Sequence, residues 1–246
     1  MTHIMHNDLL EFRDLRIRYR DTYKKSSEEA IKISNQVKAA AREKVIKLTN
    51  ELCLEYCFFD TNIAEWGVSS NFYLTFLNSG FVAFSFAKLF GTVIVPGTYD
   101  LSHFKVTDIF YYDTTYHELL NMYSLSTTDS KGGINFIPDT FSGDRLDKLR
   151  AIIDNPLAHK YISVCWFTLD GKNCNTCAKC MRTLVMLDYL GVLDRFANLF
   201  NIDYYNKNFN SRYKQFLMNG ADIKHNLHAN EKRYRELRDT VIAKHR

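Results

Sequence analysis

The sequence predicts an α/β fold with a parallel β-sheet. Strand-like and helix-like segments alternate along the first hundred residues, and one segment repeats apolar residues at steps of three and four. The 246 residues include only 10 Gly and 3 Pro but 18 Phe and 15 Tyr, which indicates an aromatic core with few loops. With 46% hydrophobic and 24% charged residues, the composition excludes disordered, collagen-like and coiled-coil classes.

Five elements alternate in the N-terminal part of the chain. The strongest is a helix at Ser26–Leu52, which begins with Ser26 and Glu29 at capping-box spacing. The other elements in this part are a strand at Thr2–His6, a strand at Leu54–Phe59, a buried helix at Asn71–Leu89 and a strand at Thr92–Val95 ended by Pro96 and Gly97. This order favours parallel strands joined by helices.

The C-terminal part is predicted to be mainly helical, with a break at Gly220. Its predicted elements are a helix at Phe141–Ile153, a strand at Tyr161–Trp166, a helix at Cys177–Leu190, and two helices at about Tyr204–Met218 and Ala229–Lys244. We expect an α/β domain over residues 1–200 and a helical extension over residues 201–246.

Polar residues follow two of the predicted strands. Ligands of parallel sheets bind at the carboxyl ends of the strands. Asp60 lies at one such end, and Asp100 and His103 follow another. These three side chains are candidates for contacts with a substrate or nucleotide, and ordinary polar loops are the alternative interpretation.

The charge of the chain is concentrated at its C-terminal end. The formal net charge is +4, yet residues 205–246 hold ten Lys and Arg against four Asp and Glu. This basic tail can contact the phosphates of a nucleic acid, and a solvated helical face is the alternative. No stretch reaches the roughly 18 uncharged apolar residues of a membrane span, and the N-terminus lacks the features of a signal peptide. We therefore expect a cytoplasmic protein without a membrane partner.

Four of the six cysteines form one run with the spacing C-x8-C-x2-C-x2-C. The run consists of Cys165, Cys174, Cys177 and Cys180. Two-residue gaps allow a turn to direct successive thiolates at one ion, and four thiolates close a tetrahedral Zn²⁺ site that has a structural role. An iron–sulfur cluster and two disulfides are the alternatives.

Basic residues adjoin this run, and two further cysteines lie apart from it. Lys172, Lys179 and Arg182 can offset the negative charge of a zinc ion held by four thiolates. Cys53 and Cys57 are predicted to be small core residues.

Around the cysteines the sequence resembles a known family. Trp166 follows the first Cys, the segment Cys174–Thr183 has the pattern C-x-x-C-x-K-C-x-R-T, and an apolar helix then leads to Leu193–Phe196. This pattern resembles the QueC-like relatives of 7-cyano-7-deazaguanine synthase (QueC), which are PP-loop ATP pyrophosphatases. The resemblance covers Thr2 to about Phe200, and its specific part is Cys165–Phe196.

The resemblance implies a Rossmann-like, three-layer adenine-nucleotide alpha-hydrolase fold. It also implies an enzyme that activates a carboxylate with ATP, releases pyrophosphate and transfers nitrogen to the adenylate. By the same resemblance Arg145 and Lys148, on one face of the helix that leads to the cysteines, and Arg182 are candidates for contacts with an anionic substrate or nucleotide.

The sequence departs from the family at the pyrophosphate-binding loop. The family's Ser-Gly-Gly-x-Asp-Ser loop does not occur, and the pair Gly132-Gly133 follows no predicted strand. In the family order Thr2–His6 matches the second strand, so we expect the first strand and the PP-loop to be supplied by a partner chain or by a segment outside this sequence. ATP and Mg²⁺ are expected only with a complete loop, and loss of ATP chemistry is the third alternative.

Two main functional hypotheses follow from the resemblance. In the first, the chain is part of an ATP-dependent ligase or amidotransferase that acts on a deazapurine-like base, a nucleotide or a modified macromolecule, and it is inactive without the loop. In the second, it is a non-catalytic binding subunit of a nucleic-acid modification or antiphage defence complex. A homo-oligomer is compatible with both. A zinc ribbon that binds nucleic acid directly is a further alternative.

Overall fold

The structure is a computed structural model that describes residues 3–7, 24–59, 85, 88–96, 135–139, 143–165, 172–227 and 230–246. The chain divides into two compact units. One unit comprises Met1–Asp60 and Lys148–Arg246, and the other comprises Thr61–Asp147. The predicted helix at Asn71–Leu89 lies almost wholly outside the described residues.

The first unit begins with a β–α–β segment. Strand β1 (His3–Asn7) pairs in parallel with β2 (Glu55–Phe59), with His3 opposite Glu55. Helix α1 (Ser27–Glu51) connects them. The side chain of Ser26 accepts a hydrogen bond from the Glu29 N–H, and Glu29 accepts one from the Ser26 N–H, so the predicted capping box is confirmed.

The second unit contains another parallel strand pair. Strand β3 (Thr92–Pro96) pairs with β4 (Asn135–Asp139), and Thr92 lies opposite Asn135. The described strands thus form two separate two-stranded parallel sheets. The larger Rossmann-like sheet stays a prediction.

The other regular elements of the described chain are helices. They are α2 (Arg145–Ile152), α3 (Ala158–Tyr161), α4 (Ala178–Tyr189), a 3₁₀ helix (Leu193–Phe196), α5 (Ile202–Lys207), a π-helix (Phe209–Tyr213), α6 (Lys214–Asn219), α7 (Ala221–Asn226) and α8 (Glu231–Lys244). Helix α4 contacts α7 and α8, and α8 also contacts α6. The predicted break at Gly220 is confirmed, because Gly220 adopts a left-handed conformation between α6 and α7.

An aromatic core fills the space between these helices. Its largest fully buried side chains are Tyr205, Tyr213, Tyr234, Phe196, Phe200 and Phe209. The packing of these rings brings the segment after α4 against α4 itself. This arrangement positions the cysteine-bearing loop that precedes α4.

Two predictions are wrong over the described residues. The strand predicted at Tyr161–Trp166 is absent from the described residues 161–165, since Tyr161 ends α3 and residues 162–165 have no regular structure. Cys53 is exposed and has a φ of +51°, so it is not a core residue, whereas Cys57 is half-buried in β2. Among the described helices, none combines the length and apolarity that a membrane span requires.

Candidate metal centre

The four clustered cysteines come together in space. The Sγ atoms of Cys165, Cys174, Cys177 and Cys180 all lie within 4.8 Å of one another, and those of Cys174 and Cys180 are 3.8 Å apart. Cys180 is buried and the other three are half-buried. This group of thiols can hold a metal ion, so the predicted grouping of the four residues is confirmed.

The last three cysteines belong to a tight loop that begins α4. The Cys177 N–H donates a hydrogen bond to Cys174 Sγ at 3.3 Å. Cys177 is also the N-cap of α4, and its Sγ accepts a hydrogen bond from the Cys180 N–H at 3.5 Å. The positive end of the helix dipole therefore faces the sulfurs, which favours the thiolate form that binds cations.

The thiols also affect each other's ionisation. Hydrogen bonds from the other cysteines, that from Cys165 first, hold the pKa of Cys174 far below its usual value. Hydrogen bonds with Cys165 and then with Cys174 raise the pKa of both Cys177 and Cys180.

Asn173 joins the two chain segments that carry the cysteines. Its side chain is buried, and its Oδ1 accepts a hydrogen bond from the Val164 N–H at 2.9 Å, next to Cys165. Its Nδ2 donates to the carbonyls of Ile162 at 3.1 Å and Leu199 at 3.3 Å. One amide thus fixes the distance between the first cysteine and the other three.

Asn175 attaches the same loop to the C-terminal extension. It has a φ of +63°, a conformation that asparagine tolerates better than most residues. Its Oδ1 accepts a hydrogen bond from the Asn201 N–H at 3.0 Å, and its backbone carbonyl accepts one from the Tyr213 hydroxyl at 2.6 Å. Burial is the main cause that raises the pKa of Tyr213, so its phenol remains a donor at neutral pH.

Arg182 is engaged within the protein. It lies in α4 with its side chain 9% exposed, and its Nη1 donates to Asp222 Oδ1 of α7 at 2.7 Å. The Arg182 guanidinium therefore links the helix that carries the cysteines to α7. A contact between Arg182 and a nucleotide stays a prediction.

The remaining candidate residues are distributed as follows. Arg145 is exposed at the start of α2, and Lys148 is half-buried three residues further along the same helix. Asp60, Asp100 and His103 lie outside the described residues. The part of the chain that the structure describes brings together only the cysteines among the predicted site residues.

Four residues of this centre were missed in the sequence: Asn173, Asn175, Tyr213 and Asp222. Only Asn175 carries a local signal, because Asn in a C-x-x-C loop suits a left-handed turn. The partners of the other three lie 9 to 40 residues away, and the sequence contains no sign of these pairings.

No family model, no curated protein and no solved structure matches the chain.

Proposed function

We propose that the four cysteines bind one structural Zn²⁺ ion. A tetrahedron with Zn–S bonds of about 2.3 Å has edges of about 3.8 Å. The distance between Cys174 Sγ and Cys180 Sγ is 3.8 Å, and every other pair lies within 4.8 Å. The close approach of four thiols, with one pair at the spacing expected around Zn²⁺, is the observation that carries the proposal.

The alternatives fit the cluster less well. In an iron–sulfur cluster, iron and sulfide atoms lie between the cysteines, so the Sγ atoms must stand further apart than around a single ion. All six cysteines lie in the described part of the chain, and none forms a disulfide. A cluster of metal-binding thiolates suits a reducing compartment, and on that basis we propose a cytoplasmic location.

A site of four thiolates leaves no coordination position for a substrate or water. Its role is therefore to hold chain segments together. The ion would join Cys165 to the loop of the other three cysteines, and the hydrogen bonds of Asn173 and Asn175 already join these segments to each other and to residues 199–201. Zinc reinforces these links because its binding energy adds to the folding energy.

We further propose that the chain is the zinc-bearing part of a QueC-like protein of the PP-loop superfamily. The pattern C-x-x-C-x-K-C-x-R-T at Cys174–Thr183 and the parallel β1–α1–β2 segment support this proposal. The chain would act in an ATP-dependent carbon–nitrogen ligase on a deazapurine-like base, a nucleotide or a modified macromolecule. ATP and Mg²⁺ would require a complete PP-loop, supplied by a partner chain or a further segment.

A second candidate function is that of a non-catalytic binding subunit in a nucleic-acid modification or defence complex. The pairing of Arg182 with Asp222 favours it, because this guanidinium is already committed to a contact within the protein. The extension also exposes Lys207, Lys214 and Lys232, which can contact phosphates.

The zinc proposal is tested by metal analysis and native mass spectrometry. We expect one Zn²⁺ per chain, lost in Cys180→Ser because three thiolates no longer close the site. The matched control is Cys53→Ser, which replaces an exposed cysteine outside the cluster and should retain the metal. Iron with inorganic sulfide, or four thiols that alkylate freely in the folded wild-type protein, would contradict the proposal.

The two functional candidates are separated by purifying the protein from its own cells. A complex that releases pyrophosphate from ATP, together with a chain that carries a Ser-Gly-Gly-x-Asp-Ser loop, would support the ligase. A homo-oligomer or a monomer without this activity, whose affinity for nucleic acid falls steeply with salt, would support the binding subunit.

A further inference from the structure

We propose that Tyr213 is a positioning residue of the metal centre. Its hydroxyl would hold the loop Cys174–Cys177 in the conformation that brings the thiols around one ion. The inference rests on the proposed zinc site and extends it to a residue of the C-terminal extension.

The contact between Tyr213 and the loop is direct and partly buried. The Tyr213 side chain is fully buried, and its hydroxyl donates a hydrogen bond of 2.6 Å to the Asn175 carbonyl. Asn175 precedes the first residue of α4 by three positions, so no turn of this helix provides a donor for that carbonyl. The phenol therefore binds a carbonyl that lies inside the C-x-x-C loop.

The loop is held from three sides at Asn175. The side-chain Nδ2 of Asn175 donates to the Asn173 carbonyl at 3.1 Å, and its Oδ1 accepts from the Asn201 N–H at 3.0 Å. The backbone carbonyl of Asn175 accepts from the Tyr213 hydroxyl. These bonds stabilise a left-handed backbone conformation that costs a non-glycine residue energy. Loss of the phenol bond would allow the peptide after Asn175 to rotate, and this peptide lies between two cysteines.

The π-helix places the Tyr213 ring against this loop. Tyr205, Phe209, Tyr213 and Leu217 recur every four residues, and all four are buried. In an α-helix three steps of four overshoot full turns by about 120°, which would carry the last residue away from the core. The wider π-turn at Phe209–Tyr213 reduces this drift.

Neighbouring rings then fix the orientation of the phenol. The rings of Tyr205 and Tyr213 pack edge to face, with centroids 4.6 Å apart. Because the ring cannot turn away, the hydroxyl is directed at the Asn175 carbonyl. Metal binding and packing of the extension are thus linked, and each stabilises the other by the same free energy.

Tyr213→Phe tests the inference, with Tyr234→Phe as the matched control. Tyr234 is equally buried in the same core, and its hydroxyl binds the Leu217 carbonyl, far in sequence from the cysteine loop. Each change removes one phenol–carbonyl hydrogen bond of a buried tyrosine, and only the bond of Tyr213 reaches the cysteine loop. We expect Tyr213→Phe to weaken zinc binding about 10–100-fold in competition with a chromophoric chelator. Tyr234→Phe should leave the affinity within about threefold, a margin set by the spread typical of such measurements.

The Co²⁺-substituted protein supplies a spectroscopic readout. Tyr213→Phe should shift the Co²⁺ d–d bands, because the sulfurs no longer hold the same tetrahedron, while Tyr234→Phe should keep the wild-type spectrum. Asn175→Gly tests the other contacts of the loop. Glycine adopts the positive φ without strain, but it lacks the side-chain hydrogen bonds to the Asn173 carbonyl and the Asn201 N–H, so this change should also weaken zinc binding.

The outcomes separate this inference from the zinc proposal. Wild-type affinity and spectrum in Tyr213→Phe would overturn the inference and leave the zinc site intact. Equal losses of affinity in both tyrosine variants would also overturn it, since the effect would then follow general stability. A wild-type protein that binds no zinc would overturn the zinc site and the inference together.

Discussion

Among the described glycines, Gly220 is the one whose surroundings leave least room for a side chain. Its φ is +68°, and a Cβ placed there would lie 2.6 Å from Tyr234 Cζ and would overlap the Tyr234 hydroxyl. The same hydroxyl donates a hydrogen bond to the Leu217 carbonyl, so the ring has no freedom to move aside. Glycine is required here by both conformation and space.

We expect Gly220→Ala to destabilise the protein by about 2–5 kcal/mol, the sum of a left-handed alanine and an overpacked core. Gly191→Ala is the matched control, because Gly191 has a φ of +71° but no atom within 4 Å of an added Cβ. It should cost only about 1–2 kcal/mol. Urea unfolding of the two zinc-loaded variants measures the difference, and equal costs would mean that the ring of Tyr234 yields to the new methyl group.

Helix α4 is fixed at both of its ends. The thiols lie at its N-terminus. Near its C-terminus, Asp188 contacts Lys244 and His245, close to the C-terminus of the chain. The buried Asp188 carboxylate accepts a hydrogen bond from the Tyr205 hydroxyl at 2.7 Å and lies 2.7 Å from His245 Nε2, while Lys244 Nζ is 3.3 Å away and donates to the Asp188 carbonyl. Basic groups at this end also complement the helix dipole.

The phenol of Tyr205 gives this cluster a measurable pH dependence. Burial, and then the Asp188 carboxylate, raise the pKa of Tyr205 above its ordinary value near 10. As the pH rises, the Tyr205 phenol therefore loses its proton in the unfolded chain before it does so in the folded protein. Its contribution to the free energy of unfolding is fully present below about pH 10 and is lost as the pH rises further. Because one proton is involved, we expect this group to lower the free energy of unfolding by up to about 1.4 kcal/mol per pH unit.

Urea unfolding between pH 8 and 11 tests this dependence. Tyr205→Phe should show a shallower loss of stability above pH 10 than the wild type, each relative to its own value at pH 8. Tyr56→Phe, at an exposed tyrosine, should keep the wild-type slope. An unchanged slope in Tyr205→Phe would show that the phenol ionises equally in both states.

Local signals decided which elements the sequence predicts well. Helix α1 was predicted to within a residue at each end because Ser26 and Glu29 mark its start and apolar residues recur at helical spacing. Helix α4 was predicted equally well, at Cys177–Leu190 against the observed Ala178–Tyr189, because Gly191 marks its end. The four thiols were found because their spacing is itself the signal.

Contacts between residues far apart in the sequence explain where the predicted secondary structure differs from the observed one. The aromatic and β-branched residues at 161–165 suggest a strand, but the Tyr161 hydroxyl donates to Glu51 Oε1 at 2.5 Å, and α3 ends there instead. The single helix predicted at Tyr204–Met218 contains a π-turn, since packing of Tyr205 and Tyr213 on distant partners sets its geometry. Such partners lie beyond any window of sequence pattern.

At the scale of the whole molecule, the proposed zinc ion should act as a stabiliser of one region. The thiols, the Asn173 and Asn175 amides and Tyr213 connect residues 162–165, 172–180 and 199–213. Helix α1 has its own hydrogen bonds and its capping box, and its contacts with α3 are the exposed ones of Glu51 with Lys160 and Tyr161. A ligand that binds only the folded state stabilises it by about 4 kcal/mol at a thousandfold excess over its dissociation constant.

Hydrogen exchange with and without a chelator tests this division. Removal of zinc should reduce amide protection in residues 172–219 and leave α1 largely unchanged, because α1 lies outside the segments that the thiols and their hydrogen-bond partners join. Cys180→Ser should resemble the chelated wild type and show no further response to the chelator, whereas Cys53→Ser should respond as the wild type does. A uniform loss of protection that includes α1 would show instead that the metal governs the cooperative unfolding of the whole first unit. In that case, the link between Asn175 and Tyr213 would be only one of several routes by which the metal stabilises the fold.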